Sequence, residues 1–280
     1  MTGEKNCALK RGRRVVSYAA VILPSLALGV LAMIAGGVSL MLWGQQIAAF
    51  VVFALLAAVV GRSLCRVPDA VCAAVLVLVL FATLFGAEAG GARRWLDLAV
   101  FNVNAAMLVL PALLILLGGM ELPYPVLLCA GVILALQPDA SQLTALCAAA
   151  VPVLWRHRRK RIWNAAAILV LAACMLRGYT IPVTIEPVSY CEGVLALLGG
   201  LSPALMAAGA LSLALVPALF ACRFRRERAV PLLSLTIYYA VTMLFALSGE
   251  YPMPFMGFGL SPIAGYWLAY LLMPDSAEAK

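Results

Sequence analysis

Four short stretches gather the side chains able to do chemistry, and each interrupts an apolar run. In Gly90-Gly91-Ala92-Arg93-Arg94-Trp95-Leu96-Asp97, two guanidiniums sit beside an indole. The planar fork of Arg suits two-point contact with phosphate or carboxylate oxygens. The plainer reading is an interfacial anchor, a Trp at headgroup level with snorkelling arginines. In Gln137-Pro138-Asp139-Ala140-Ser141-Gln142, a carboxylate lies between two amides at a helical break, suited to orienting a sugar or a cation. The plainer alternative is a solvated turn in which Asp139 caps the next helix. Between Arg177 and Glu192, the residues Glu186, Ser189 and Glu192 offer carboxylates for a general base or a divalent metal; the alternative is a solvated connector. In Gly249-Glu250-Tyr251-Pro252-Met253-Pro254-Phe255-Met256-Gly257-Phe258-Gly259, the prolines and glycines forbid a regular helix. Irregular backbone at membrane depth must be buried in protein or line a wet cavity, so this stretch reads as a re-entrant element or a simple loop.

The elements that must position these stretches are apolar helices. Apolar runs between charged or Pro/Gly punctuation predict spans at roughly 16–38, 46–64, 68–87, 104–119, 124–137, 141–155, 162–177, 190–220, 229–248 and 257–273. The fold class expected is therefore an all-α polytopic integral membrane protein of about ten transmembrane helices, a single domain over 1–280 with a basic tail at 1–15 and a short outer loop at 178–190. The run that follows Lys5, Lys10, Arg11, Arg13 and Arg14 is too long for a cleaved signal peptide, whose apolar region is about 7–15 residues, and reads as an uncleaved first span.

Charge fixes the orientation. Alternating ten spans from a cytoplasmic N-terminus puts 17 of the 20 Lys and Arg residues inside, and leaves only Arg93, Arg94 and Arg177 outside. That is the positive-inside pattern, and it places both termini in the cytoplasm. Glu88, Asp97, Asp139, Glu186, Glu192 and Glu250 fall at the outer ends. The four polar stretches thus form an outward-facing groove, and the overall +8 charge reflects insertion and not a nucleic-acid partner.

Composition excludes other classes. The chain is 65% hydrophobic and 11% charged, with a mean hydropathy of +1.04. A soluble domain is roughly 45–50% apolar and about 25% charged, and a disordered chain lies further still in the polar direction. The eight cysteines include no CxxC pair and there is one His, so a zinc site is not expected. No GxxxxGK phosphate loop, GxSxG elbow or HExxH helix is present.

The order of the polar stretches resembles the SEDS family of bacterial cell-shape and division proteins, the FtsW/RodA/SpoVE group. GARRWLDL at 91–98 is similar to that family's GAxRW motif in the second outer loop. Leu136-Gln137-Pro138-Asp139 is similar to its LQPD motif, and the 251–259 segment to its LPLPFISYGG segment before the last helix. ALLGGLSPAL at 196–205 resembles the helix after the catalytic loop. Three features depart from the pattern. The large outer loop shrinks to roughly a dozen residues, and the HTDF motif with its essential Asp has no counterpart, Ser189 standing near that position. The glycines and serines of the last motif become Gly257, Phe258, Gly259 and Ser261.

The resemblance implies a peptidoglycan glycosyltransferase of the bacterial inner membrane, serving cell division or cell shape. It would polymerise lipid II at the outer face, with a divalent cation (Mg or Mn) helping to neutralise the undecaprenyl pyrophosphate that leaves. Partners would be a single-pass penicillin-binding transpeptidase and division or elongation proteins. Carried onto this sequence, Glu192, Glu186 and Asp139 are the catalytic candidates, with Glu186 and Glu192 as candidate metal ligands. Arg93, Arg94, Trp95, Gln137, Glu250 and Ser261 are the substrate-binding candidates. The competing expectations are a non-catalytic scaffold for a transpeptidase, favoured by the missing Asp and loop, and a flippase or transporter for a lipid-linked sugar, against which no inverted repeat is visible.

Overall fold

The computed structural model describes residues 2–60, 67–98 and 101–273, with side chains from residue 12 onward. The side chains of Lys5, Lys10 and Arg11, and all of Arg62, Arg66 and Lys280, lie outside the described residues.

The described residues form α1 (Thr2–Ala35), α2 (Leu40–Val60), α3 (Asp69–Ala82), a 3₁₀ turn (Thr83–Phe85), β1 (Trp95–Asp97), β2 (Asn102–Asn104), α4 (Ala105–Gly119), α5 (Tyr124–Leu136), α6 (Ala140–Arg156), α7 (Arg161–Thr180), α8 (Val194–Leu201), α9 (Pro203–Glu227), α10 (Val230–Ala246) and α11 (Leu260–Leu272). This is the expected all-α polytopic membrane fold, with each predicted span overlapping a helix. One span is corrected: 190–220 is two helices. Ser202 ends α8 in extended backbone and caps α9 by accepting the Ala204 N–H at 3.2 Å, and Pro203 opens α9. Proline lacks the N–H that an interior helical position must donate, so it starts helices more readily than it continues them. The connector after α7 accordingly spans 181–193. A small antiparallel hairpin, β1 with β2, pairs Trp95 with Asn104 and Asp97 with Asn102, and was not expected.

Contacts across the bundle show how the helices alternate. At one end, Arg223 of α9 meets Tyr18 of α1 and Met273 beyond α11, and Arg156 of α6 donates to the Gly118 carbonyl of α4. At the other end, Arg94 meets Asp139, and Asn104 meets Ser261. The first end carries the basic clusters after α6 and α9; the second carries Glu88, Asp97, Asp139, Glu186, Glu192 and Glu250.

Helix length differs between rim and centre. Gly12–Ala35 of α1, α2, α7 and α9 are long and apolar enough to cross a membrane by themselves. They expose large apolar side chains such as Val59, Ile162, Leu169 and Leu211, as a surface solvated by lipid requires. The central α4 is 15 residues long and buried along nearly its whole length against α3, α6, α10 and α11. At about 1.5 Å per residue it falls short of a hydrocarbon core of about 30 Å. The central helices α4, α6 and α11 all begin at the acidic end, so their shortness leaves a recess there, walled by irregular backbone.

That backbone is buried as the hydrophobic setting demands. Met253, Phe255 and Met256 are at most 2% exposed. Gln46 of α2, fully buried, donates to the carbonyls of Phe255 at 3.1 Å and Gly257 at 3.0 Å. A Cβ on Gly29 of α1 would collide with the Met256 carbonyl, and one on Gly257 with the Cys191 carbonyl. Glycine at both positions is what lets the segment lie against the bundle.

Candidate active site

The recess at the acidic end is a cleft lined by Arg94, Trp95, Asn104, Met107, Asp139, Ser141, Gln142, Ile185, Glu192, Glu250, Tyr251 and Pro252. All four chemically promising stretches contribute to it. Its empty space, including the open mouth, is about 360 Å³.

Its floor is the start of α6. Asp139 is the N-cap: its Oδ1 accepts the Gln142 N–H at 3.2 Å and the Ser141 hydroxyl at 3.0 Å, relieving donors that the first helical turn leaves unpaired. Its Oδ2 lies 3.7 Å from Nε of Arg94, with the two side chains 2% and 10% exposed. Arg94 also donates to the Pro138 carbonyl. One guanidinium therefore clamps the polar turn between α5 and α6 onto the hairpin approach, and its charge is balanced on the spot. The N–H of Ala105 returns to the Arg94 carbonyl at 3.2 Å, which anchors the same residue to the start of α4. Gln142, 1% exposed, accepts the Tyr238 hydroxyl of α10 at 2.7 Å through Oε1, while its Nε2 has no partner.

The wall opposite is the shortened connector. Val188, Cys191 and Glu192 form a tight turn in which the Val188 carbonyl accepts the N–H of Cys191 at 2.8 Å and of Glu192 at 2.9 Å. The Glu192 carboxylate accepts the Val188 N–H at 2.8 Å. This turn is fastened to the buried 251–259 segment: Tyr190 O accepts the Phe258 N–H at 2.8 Å and Cys191 O the Met253 N–H at 3.1 Å. Burial raises the Glu192 carboxyl above its ordinary 4.5, opposed by the backbone N–H groups it accepts. Burial likewise raises Tyr251, with Arg94 pulling the other way, so its phenol is neutral and able to donate.

The predicted site residues divide. Arg94, Trp95, Asp139, Glu192 and Glu250 converge on the cleft. Arg93 does not: it is exposed, paired with Glu88 at 3.2 Å and donating to the Leu84 carbonyl at 3.0 Å. Consecutive residues of extended backbone point to opposite sides, which separates it from Arg94. Gln137 is fully buried behind the floor, donating to the Leu80 carbonyl at 3.1 Å and to Thr83, and so ties the end of α5 to the end of α3. Ser261 is 3% exposed and accepts the Asn104 N–H at 2.8 Å, joining α11 to α4. Glu186 is exposed and outside the lining. Asn104 and Tyr251 were not nominated from the sequence, and Gln142 only as one of the two amides flanking Asp139. Asn104 had a readable signal, an Asn directly before a long apolar run, and it is the N-cap of α4.

Among the described residues no three His, Cys, Asp or Glu side chains come together as a metal would need. Asp139 is held by Arg94, and Glu192 is engaged by a backbone N–H.

No protein-family profile matches the sequence, and no curated protein does. The structure is similar to that of the Rod shape determining protein RodA of Thermus thermophilus, with a TM-score of 0.53, 20% identity, and coverage of 92% of this chain and 93% of that one. An Asp-to-Ala mutant of the same protein aligns with a TM-score of 0.57 and 18% identity over 91% of this chain and 94% of that one. This likeness runs nearly end to end, so the chain is a multi-pass membrane protein with a SEDS-like fold.

Proposed function

We propose that this protein is a SEDS-type peptidoglycan glycosyltransferase of the bacterial inner membrane, working from the outer face, where the acidic end of the bundle lies by the positive-inside rule. The observation that carries this reading is Glu192. It is a carboxylate with a raised proton affinity, at the rim of a cleft floored by a neutralised Arg94–Asp139 pair. A general base works best with a pKa near the working pH, and burial moves Glu192 in that direction.

The reaction is a displacement at the anomeric carbon of a lipid-linked saccharide. The 4-hydroxyl oxygen of lipid II forms the new C–O bond as its proton passes to Glu192. The bond to the pyrophosphate oxygen breaks, and undecaprenyl pyrophosphate leaves with the electron pair. The cleft lining holds Asp139, Glu192 and Glu250 against Arg94 alone, so carboxylates outnumber cations even with one of them protonated. A bare pyrophosphate is repelled there, and the saccharide is the part that the cleft suits. A single-pass transpeptidase would cross-link the product.

A second reading, a non-catalytic scaffold for such a transpeptidase, is favoured by one observation: Glu192 already accepts a backbone N–H, and Ser189, near the position of the family's Asp, is exposed. Purified protein supplied with labelled lipid II and Mg²⁺ separates the two. The polymerase reading expects glycan polymer that disappears in Glu192→Gln and persists in Glu186→Ala. Absence of polymer, with a transpeptidase still co-purifying, supports the scaffold.

A further inference from the structure

The cleft floor contains a donor with nothing to bind. Gln142 is 1% exposed and lines the cleft, and its amide nitrogen is buried without a partner. Leaving such a group unpaired is costly, so it calls for an acceptor. The amide cannot simply relax, because Tyr238 donates to its oxygen at 2.7 Å, and the backbone N–H of Gln142 is tied to Asp139. With the oxygen held by α10, the nitrogen is the amide atom of this lining residue left to take a partner.

The surroundings say what kind of acceptor fits. Anionic oxygens are disfavoured by Asp139, Glu192 and Glu250, which outnumber Arg94. Sugar hydroxyls carry a donor of their own and are served by those carboxylates. Among uncharged acceptors without a hydrogen, an acyl carbonyl is stronger than the ring and glycosidic ether oxygens and fits an amide donor best. We propose that Gln142, oriented by Tyr238, is a specificity-determining residue that reads an amide carbonyl on the ligand's saccharide. The site would thus distinguish N-acylated amino sugars from their free-amine counterparts. This rests on the saccharide reading above, but it concerns recognition and not the chemical step.

Binding, measured apart from turnover, tests it. The full-length protein in nanodiscs would be titrated with two short-chain lipid pyrophosphate disaccharides, one N-acylated and one de-N-acylated. The wild type is expected to favour the N-acylated probe. Gln142→Leu, similar in volume but without the amide, should weaken that probe roughly ten- to hundredfold and leave the other unchanged. Tyr238→Phe keeps the ring and frees the amide to turn; it should shift selectivity in the same direction by less. Equal weakening of both probes, or no change, would overturn the inference and leave the amide as a host for water. Selective binding by a protein that makes no polymer upholds the inference and removes the polymerase reading. Failure of the wild type to bind either probe overturns both.

Discussion

The two ends of this bundle use the same kinds of side chain in opposite ways. At the basic end, cations are engaged by the fold itself. Arg156 donates to the Gly118 carbonyl, His157 Nε2 lies 3.1 Å from the Met120 carbonyl, and Lys160 donates to the Glu121 carbonyl at 2.9 Å. Gly118 and Met120 supply carbonyls that the end of α4 leaves unpaired, where positive charge is favoured, and Glu121 follows directly after its cap. Arg223 bonds Glu227 at 2.6 Å, and also Tyr18 and Met273, so one guanidinium staples α9 to α1 and to the end of α11. At the acidic end, Arg94 Nε, Gln142 Nε2, Gln137 Oε1 and Gln46 Oε1 are buried without hydrogen-bond partners, beside irregular backbone and an open cleft. Polar groups in a membrane protein are costly wherever they sit. One end offsets part of that cost by closing Arg156, Lys160 and Arg223 onto a helix terminus or carboxylate. Ser234 Oγ and Trp267 Nε1 toward the basic end are also buried without partners, but at the acidic end Arg94 and Gln142 carry such atoms in the lining of an open cleft.

Substitutions can break this contrast. The largest effect is expected from Arg94→Leu, which leaves the nearly buried Asp139 without its counter-charge and unclamps the α5–α6 turn. A loss of about 3–5 kcal/mol is expected, read as a fall in the thermal unfolding midpoint in detergent, together with loss of saccharide binding. The pH dependence of activity comes next. A base whose proton affinity is raised by burial is inactive while protonated, so turnover rises with pH through a midpoint above the ordinary 4.5 of glutamate. Below that midpoint the rate falls about tenfold per pH unit. A flat profile from pH 4 to 7 would remove Glu192 from the role.

Arg223→Met tests the basic end. It removes the staple among α1, α9 and α11 and is expected to lower stability by about 1–3 kcal/mol with the affinity for saccharide unchanged. If binding fell with it, the ends would be coupled and the contrast would fail. The smallest effect is expected from Arg93→Ala, which breaks an exposed pair with Glu88, worth about 1 kcal/mol or less. It should leave polymerisation near the wild-type rate, where Arg94→Leu does not.

The spans were legible in the sequence because lipid leaves the chain little choice: long apolar runs must be helical, and charges must gather at their ends. The break between α8 and α9 was legible in principle, since Ser202-Pro203 is a helix-start signal, but the surrounding apolar run masked it. The site was legible as four stretches and not as individual residues. Arg93 and Arg94 are neighbours of one type, and only the backbone conformation between them decides that one pairs with Glu88 at the surface while the other lies under Asp139. Gln137 and Gln142 flank the same Asp in sequence, yet the first braces α3 and the second faces the cleft. Ser261 reads as a polar residue beside a motif, and it is consumed in holding Asn104. Tyr238, within α10, carried no signal at all, because its role depends on a helix nearly a hundred residues earlier in the chain.

The central claim is that the acidic end performs glycosyl transfer with Glu192 as base. Its most direct test is the polymer formed from labelled lipid II by wild-type and Glu192→Gln protein of equal thermal stability. The account predicts polymer from the wild type and a loss of about 10²–10⁴-fold in the variant. Equal polymer from both would contradict it.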